Sequence, residues 1–540
     1  MMNVRSYFAA ALLAASAAFP AAAQQGLDNP MTRAMMEVYN QELAANPQSY
    51  EVYFRRANEY YKFNQYLRAL SDVDNAIKYA PATDTEFLFE ATFLRAEIYQ
   101  MLDKHQEALA DFTEALRLDP SSFLALYQKA NSEYELGRYA DAKGDYNRMR
   151  AINPRSAEAL TGLARVAVKE NNLGLAQQYM DDAVKMMPSD SDIFVRRASV
   201  RRMLGDNTGA VEDLIMAISI DSNSRAIQEL ANIGNSDYPA VITGLSGAIS
   251  QAPDQPMLYY LRGFIAQAHA HYLSAIDDYR KLVDNNMYNY AGIYGALGEC
   301  YFQLCDYDRA LEFVNQAIGM DPANPEYNTT LAGIRRAMGD YRAALKAVDF
   351  ALSDAPADRS ALAEKGRVLY SLERYDEASG IFGELIMDNP EDAMSYMLQA
   401  WVVNDGLKQP RNAAPIYKRL LESLAAEAVN ASGEHFTSPS TLRGFALLFT
   451  GDTEGALRWA DDLLRDNNDS DGSLNYLAAC LYAQAGDKEK ALACVDRALG
   501  RGYASLYNWK VNDSARVNVA PLRGDARFDR ALESYSYLFK

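Results

Sequence analysis

Apolar and small residues recur along this chain in short helical phrases. In Phe89–Pro120, Ala96 and Tyr99 stand three apart, and Ala108, Phe112 and Ala115 follow at i, i+4 and i+7. Each spacing places its residues on one face of a helix. Two amphipathic helices are predicted, joined by a short turn at Asp103–Lys104. Pro120 closes the unit, because proline disfavours helix at the residue before it. The phrase returns as Ala57, Tyr60, Ala69 and Ala76, then as Ala130, Tyr139, Ala142 and Tyr146. Later versions include Gly298, Tyr301, Tyr307, Ala310 and Ala317, and Gly366, Tyr375, Ala378 and Phe382. The prolines keep the same interval: Pro47 and Pro81, then Pro120, Pro154 and Pro188, then Pro322, Pro356 and Pro390 each stand 34 apart. Alanine at the recurring sites lets helix axes approach closely, while the larger residues fill the neighbour's grooves.

A small residue and Tyr, then Ala and Phe four apart, then Pro, at a period of about 34 residues, resembles the tetratricopeptide repeat. The resemblance implies an all-α fold, an α-solenoid in which helix-turn-helix units stack into a right-handed superhelix. One match would be a loose signal; a train of them in register is specific. Residues 24–48 read as a leader with a capping helix from Met31 to Ala45. About eleven units fill 49–423. They are degenerate at 224–253, where a short polar first half surrounds Asn232–Asn235, and at 393–423, where Pro410 and Pro415 fall near the turn. Residues 424–440 are too long for a repeat turn and are expected to form a joint or linker. Two further units span 441–502. In the tail, 503–540, Pro521–Phe528 resembles the PLRxDPRF-type segment that follows the last repeat in bacterial proteins of this kind, with Ala526 replacing Pro. Trp509, Leu522 and Phe528 are expected to pack over the last repeat as the cap such arrays need.

Residues 1–23 read as an export signal. Arg5 is followed by an apolar run, Tyr7–Phe19, and Ala21-Ala22-Ala23 satisfies the small–x–small cleavage rule. The remaining chain is expected in the periplasm, elsewhere in the cell envelope, or secreted. No later stretch reaches transmembrane length.

Composition narrows the function. The 540 residues are 49 % hydrophobic, enough for a folded core, and the net charge of −19 opposes nucleic-acid binding. Cys300 and Cys305 are five apart near one helix end, too distant to bridge easily. Cys480 and Cys494 fall on two antiparallel helices, where a bridge can form. Neither pair has the CxxC spacing of a zinc or redox site.

The chain has no phosphate-binding glycine loop, and Gly244–Gly247 lacks the last glycine of a nucleophile elbow. His269 and His271, upstream of Asp277 and Asp278, read as solvated turn residues rather than metal ligands. Asn467, Asp469 and Asp471 alternate before Gly472 like the start of a Ca²⁺ loop. The required glutamate is replaced by Ala478, so a helix-to-helix turn with Ser473 as N-cap is favoured. No catalytic, metal or cofactor site is expected.

Binding in a groove is expected instead. By the resemblance, the first helices of successive repeats line a concave face. Their inward positions are Phe54, Asn58 and Tyr61; Phe93, Glu97 and Gln100; Tyr127, Asn131 and Tyr134. Further on they are Tyr260, Phe264, Phe302, Arg336, Arg367 and Tyr370. Rings with scattered amides suit an extended peptide or a helix. Packing of several of these rings between repeats is the alternative. Asn58 fits one position of the carboxylate clamp that binds acidic tails, but Phe54, Leu94, Leu124 and Gln128 replace its other members. The sequence therefore points to a non-enzymatic protein-interaction scaffold or adaptor of the bacterial cell envelope, with one or more proteins or peptides as partners. A binding module for an envelope glycan is the second reading. Oligomeric state stays open.

Overall fold

A computed structural model describes residues 30–424, 442–466, 469–512 and 514–540. The described residues are helical throughout, with no strand. By internal contacts the chain forms two compact units, 5–228 and 229–540, apart from a few residues at its start. The division falls inside the helix Ser224–Ser236. It was not an expected boundary. The expected joint, beyond Leu424, lies outside the described residues, as do the export signal and the start of the leader.

In the first unit α1 (Pro30–Ala45) precedes five helical hairpins. These are α2–α3 (Tyr50–Lys62, Tyr66–Tyr79), α4–α5 (Thr85–Met101, His105–Leu118), α6–α7 (Phe123–Glu135, Tyr139–Ile152), α8–α9 (Ala157–Lys169, Leu173–Met186) and α10–α11 (Ser191–Met203, Asn207–Asp221). The recurring alanines are the buried contacts between helices: Ala57, Ala69, Ala76, Ala96, Ala108, Ala115, Ala130 and Ala142. Ser122 and Ser156 cap α6 and α8 by accepting from the Ala125 and Ala159 amides. Each hairpin turns on one residue with positive φ: Asn64, Asp103, Gly137, Asn171 and Gly205. These are residue types that tolerate the left-handed conformation.

Inside these hairpins lies a feature that the spacing of apolar and small residues does not show. Arg56 grips Asp72 through two bonds of 2.7 Å. Arg95–Asp111, Lys129–Asp145 and Arg197–Asp213 repeat that pair at the same separation of 16 residues. The four aspartates are buried. Each pair ties the first helix of a hairpin to the second, and in the three arginine pairs the planar guanidinium fork satisfies both carboxylate oxygens.

The second unit continues with α12 (Ser224–Ser236) and α13 (Tyr238–Gln251). The expected short polar first half is absent: Asn232–Asn235 are helical, and only Asp237 separates the helices, capping α13 at the Ala240 amide. Hairpins follow as α14–α15 (Pro256–Ala268, Tyr272–Asp284), α16–α17 (Ala291–Gln303, Tyr307–Met320), α18–α19 (Pro325–Ala337, Tyr341–Asp354) and α20–α21 (Arg359–Ser371, Tyr375–Asp388). Then α22 (Ala393–Trp401) passes into a π-helical turn, Val402–Gly406, before α23 (Pro410–Leu424). Pro410 opens α23, where its missing N–H has no partner to lose, whereas Pro415 lies within the helix. Beyond the gap come α24 (Arg443–Phe449), α25 (Thr453–Asp466), α26 (Ser473–Ala485), α27 (Lys488–Gly500), α28 (Leu506–Lys510) and α29 (Ala526–Ser534). Trp509, Leu522 and Phe528 are fully buried, with Trp509 edge-on to Tyr476 of α26 at 4.8 Å. All four cysteines are free thiols.

Candidate functional site

In the first unit the inward positions of α2, α4, α6 and α8 form a row of half-buried side chains. Some of its rings are packing residues. Phe54 meets Phe87 edge-on at 5.2 Å, and Phe93 lies against Phe89 and, at 5.4 Å, against Phe112 of α5. Tyr127 packs on the buried cluster around Leu126 and Tyr146. The second half of the row is polar. Asn58 donates to the Phe54 carbonyl of its own helix. Gln100 crosses to the next hairpin, donating to the Gln128 carbonyl and the Ser132 hydroxyl. Asn131 accepts from the Tyr146 hydroxyl at 2.7 Å and from Arg165 at 3.2 Å. Arg165 also reaches Glu135 and lies 4.0 Å over the Tyr134 ring. Tyr61 contacts Tyr66. Burial raises the pKa of Glu97, with no cation opposing it, and burial followed by the Glu97 charge raises that of Tyr61. The row thus presents a desolvated carboxyl beside a phenol, then an amide, then a guanidinium stacked on a ring.

The corresponding row of the second unit is engaged by its own chain. Residues 503–510 lie along the C-terminal ends of α14, α16 and α18. The Ala504 amide donates to the Ala270 carbonyl at 3.1 Å. The Ser505 hydroxyl donates to Gln303 at 2.7 Å, with both residues buried. Tyr507 lies 4.8 Å from Phe302, and its hydroxyl accepts from Arg336 at 3.2 Å. Arg336 in turn pairs with buried Glu364 at 2.6 Å, and Arg367 approaches the same carboxylate. Tyr370 stacks on Trp401 at 3.8 Å. Tyr260 and Phe264 lie nearly parallel, 6.3 Å apart. Phe302, Arg336, Arg367 and Tyr370, read from the sequence as groove positions, thus have partners that belong to the chain itself. Sequence reasoning missed residues 503–510 as those partners, since no spacing links 270 to 504.

The histidines depart from the sequence reading. His269 is buried and makes a 2.5 Å contact with Asp471, and His271 stacks on Tyr238 at 4.4 Å. They are packed groups, not solvated turn residues, because Asp471 meets His269 while Tyr238 and Gly502 lie against His271. Desolvation, with His269 adding, lowers the His271 pKa to about 4, while the His269 hydrogen bond holds Asp471 well below the usual carboxylate range against its own desolvation. Gly502 packs against His271 with φ +95°, and a Cβ there would collide with the ring. Asp469 and Asp471 are occupied as caps: Asp469 accepts from the Leu474 and Asn475 amides, and Asp471 from that of Ser473. Gly472, not Ser473, is the residue before α26. Asn467 lies outside the described residues. Among the described residues no cluster of His, Cys, Asp and Glu could hold a metal, and no helix is long and apolar enough to cross a membrane.

Family models described as tetratricopeptide repeat match residues 89–122, 127–191, 260–325, 335–402 and 472–501. The chain carries tetratricopeptide repeats. The buried alanines, the paired helices and the turn residues are the repeat's own framework. Among curated relatives, cellulose synthase operon protein C of Pseudomonas fluorescens is 35 % identical over 105 residues, 19 % of this chain and 8 % of that protein. Tetratricopeptide repeat protein 36 of Danio rerio is 36 % identical over 56 residues, 10 % of this chain and 30 % of that protein. This chain thus spans less than a third of either relative. Among solved structures, yeast Tom70 covers 77 % of this chain and 98 % of its own at 17 % identity, with a TM-score of 0.36. YrrB, a TPR protein with an unusual peptide-binding site, covers 35 % and 96 % at 20 % identity, with a TM-score of 0.28.

Proposed function

We propose that this protein is a non-enzymatic scaffold of the bacterial cell envelope that captures a protein or peptide along the inner row of its first unit. The observation that carries the reading is that row: Tyr61, Glu97, Asn131 and Tyr134 come from three successive hairpins and set aromatic beside polar groups. Such a surface grips an extended backbone through stacking and hydrogen bonds. Envelope location rests on the pattern of residues 1–23. An envelope glycan is the second reading; rings also stack on sugars, and one short stretch is shared with a cellulose synthase operon protein.

The test is crosslinking in native cells, followed by pull-down and mass spectrometry, with the chain intact and with Tyr61→Ala and Tyr134→Ala combined. A protein partner lost in the double variant, at unchanged helicity, is the expected result. Undiminished capture would exclude this row. Recovery of the chain alone, together with hits on a glycan array, would favour the sugar reading.

A further inference from the structure

The second unit shows a peptide-sized segment seated on a repeat row. We propose that this row, from Ala270 through Gln303, Phe302 and Arg336, is a peptide site held shut by residues 503–510. Its outside ligand is a peptide bearing a hydroxyl residue and, two positions later, a tyrosine. The self-occupancy stands on geometry alone; the outside ligand rests on the protein-binding reading above.

The segment makes each kind of contact that a bound peptide makes. It has one main-chain bond, from Ala504 to the Ala270 carbonyl. It has one side-chain bond buried from water, from Ser505 to Gln303. It has one ring contact, Tyr507 on Phe302, and one bond from a cation to the Tyr507 hydroxyl. The receiving groups come from three successive hairpins, at the ends of α14, α16 and α18. The segment is also anchored on α26, and Ser505 joins the two parts: its hydroxyl accepts from the Asn508 amide and its carbonyl from the Trp509 amide. Tyr503 stacks on Tyr476 at 4.7 Å, and Trp509 donates to the Tyr503 carbonyl. Tyr503 and Trp509 keep their ring contacts with Tyr476 when Tyr507 leaves Phe302, whereas Ser505 leaves Gln303 only by a shift of the short helix it caps. The helix that carries Tyr507 has only five residues, so little cooperative structure opposes its local opening.

The turns beneath the segment point the same way. Ala270, whose carbonyl receives the segment, has φ +60°, and Cys305 next along has φ +60°. Neither is a residue that favours this conformation, and such strain concentrates at binding and switching sites.

The experiment uses the full chain and a fluorescent synthetic peptide with the sequence of Gly502–Lys510. Wild type is compared with Ser505→Ala/Tyr507→Ala, which removes from the row the hydroxyl on Gln303 and the ring on Phe302 and leaves Tyr503 and Trp509 in place. The variant should bind the peptide at least tenfold more tightly than wild type. A peptide with alanine at the Ser505 and Tyr507 positions should not bind, and adding Phe302→Ala to the variant should remove binding. A folded variant that binds no better than wild type overturns the proposal. Should the variant not fold, hydrogen exchange on the unmodified chain tests the same opening. The Ala504 amide should exchange at least tenfold faster than the slowest amides of α16 and α26. Equal protection would mean the segment opens only when the whole unit unfolds, and would overturn the proposal. Neither readout involves Tyr61 or Tyr134, so failure here and failure of the scaffold reading are separable.

Discussion

The two units are built from the same hairpin and differ in how it is finished. In the first, turns fall on Asn64, Asp103, Gly137, Asn171 and Gly205, and four cation–Asp pairs of identical spacing tie the helices of its hairpins together. In the second, Gly339, Gly451 and Gly486 keep the tolerant type, but turns at Ala270, Cys305 and Glu373 hold the same positive φ without a tolerant side chain, and only Arg262–Asp278 repeats the ion pair among the described residues. The inner row of the first unit bonds to its own and adjacent hairpins. That of the second is met by residues 503–510, more than 160 positions downstream of the groups they contact. Regular local chemistry thus goes with a row formed by the repeats alone, and irregular local chemistry with a row completed by a distant segment.

On that difference, the same kind of change should cost unequally. Arg336→Ala leaves buried Glu364 without its main partner and frees Tyr507, and should destabilise the second unit by about 3–5 kcal/mol. Arg56→Ala also leaves a buried carboxylate, Asp72, without its cation, but releases no distant segment with it, and should cost about 2–3 kcal/mol. Urea unfolding, with each unit followed by hydrogen exchange, checks both values. Equal costs would remove the distinction.

A smaller effect concerns pH. Folded His271 stays neutral down to about pH 4, whereas the unfolded chain takes up the proton near pH 6.5. Its contribution is complete above 6.5 and is lost as pH falls toward 4, up to about 3 kcal/mol at about 1.4 kcal/mol per unit. Denaturation midpoints of the second unit should fall across that window, and His271→Phe should flatten the fall. An unchanged slope in the variant would assign the acid sensitivity to other groups.

The smallest change should stabilise. Glu373→Gly relieves a left-handed turn and should add no more than about 1 kcal/mol, offset in part by glycine's greater freedom when unfolded. The same substitution at Asn64 should add nothing, because asparagine already tolerates that conformation. Thermal midpoints of the two variants measure the difference.

Much of the architecture was legible beforehand. Helical spacing, buried alanines and the proline interval are local or near-local signals, and they mark α2 to α11 and α14 to α21 without reference to distant residues. Within the stretch read as degenerate, 224–253, Asn232–Asn235 are weak helix formers, yet the packing of Ala226, Leu230 and Ile233 holds the helix. The positions from Phe54 to Tyr134 could be named from the repeat register alone. Which of their rings pack, as Phe93 does on Phe112, needed the neighbouring helix. The repeated Arg–Asp pairs carried a visible signal, a cation just before the small residue and an aspartate sixteen later.

By itself the sequence determined a train of tetratricopeptide hairpins, since each depends on contacts within about 34 residues and its pattern is written within that span. Only the tertiary structure decided that His269 meets Asp471, that Ser505 meets Gln303 and that Tyr507 lies on Phe302. Those pairs form because the closing repeats bring back a segment some 200 residues distant along the chain, and no periodic pattern encodes a contact made once.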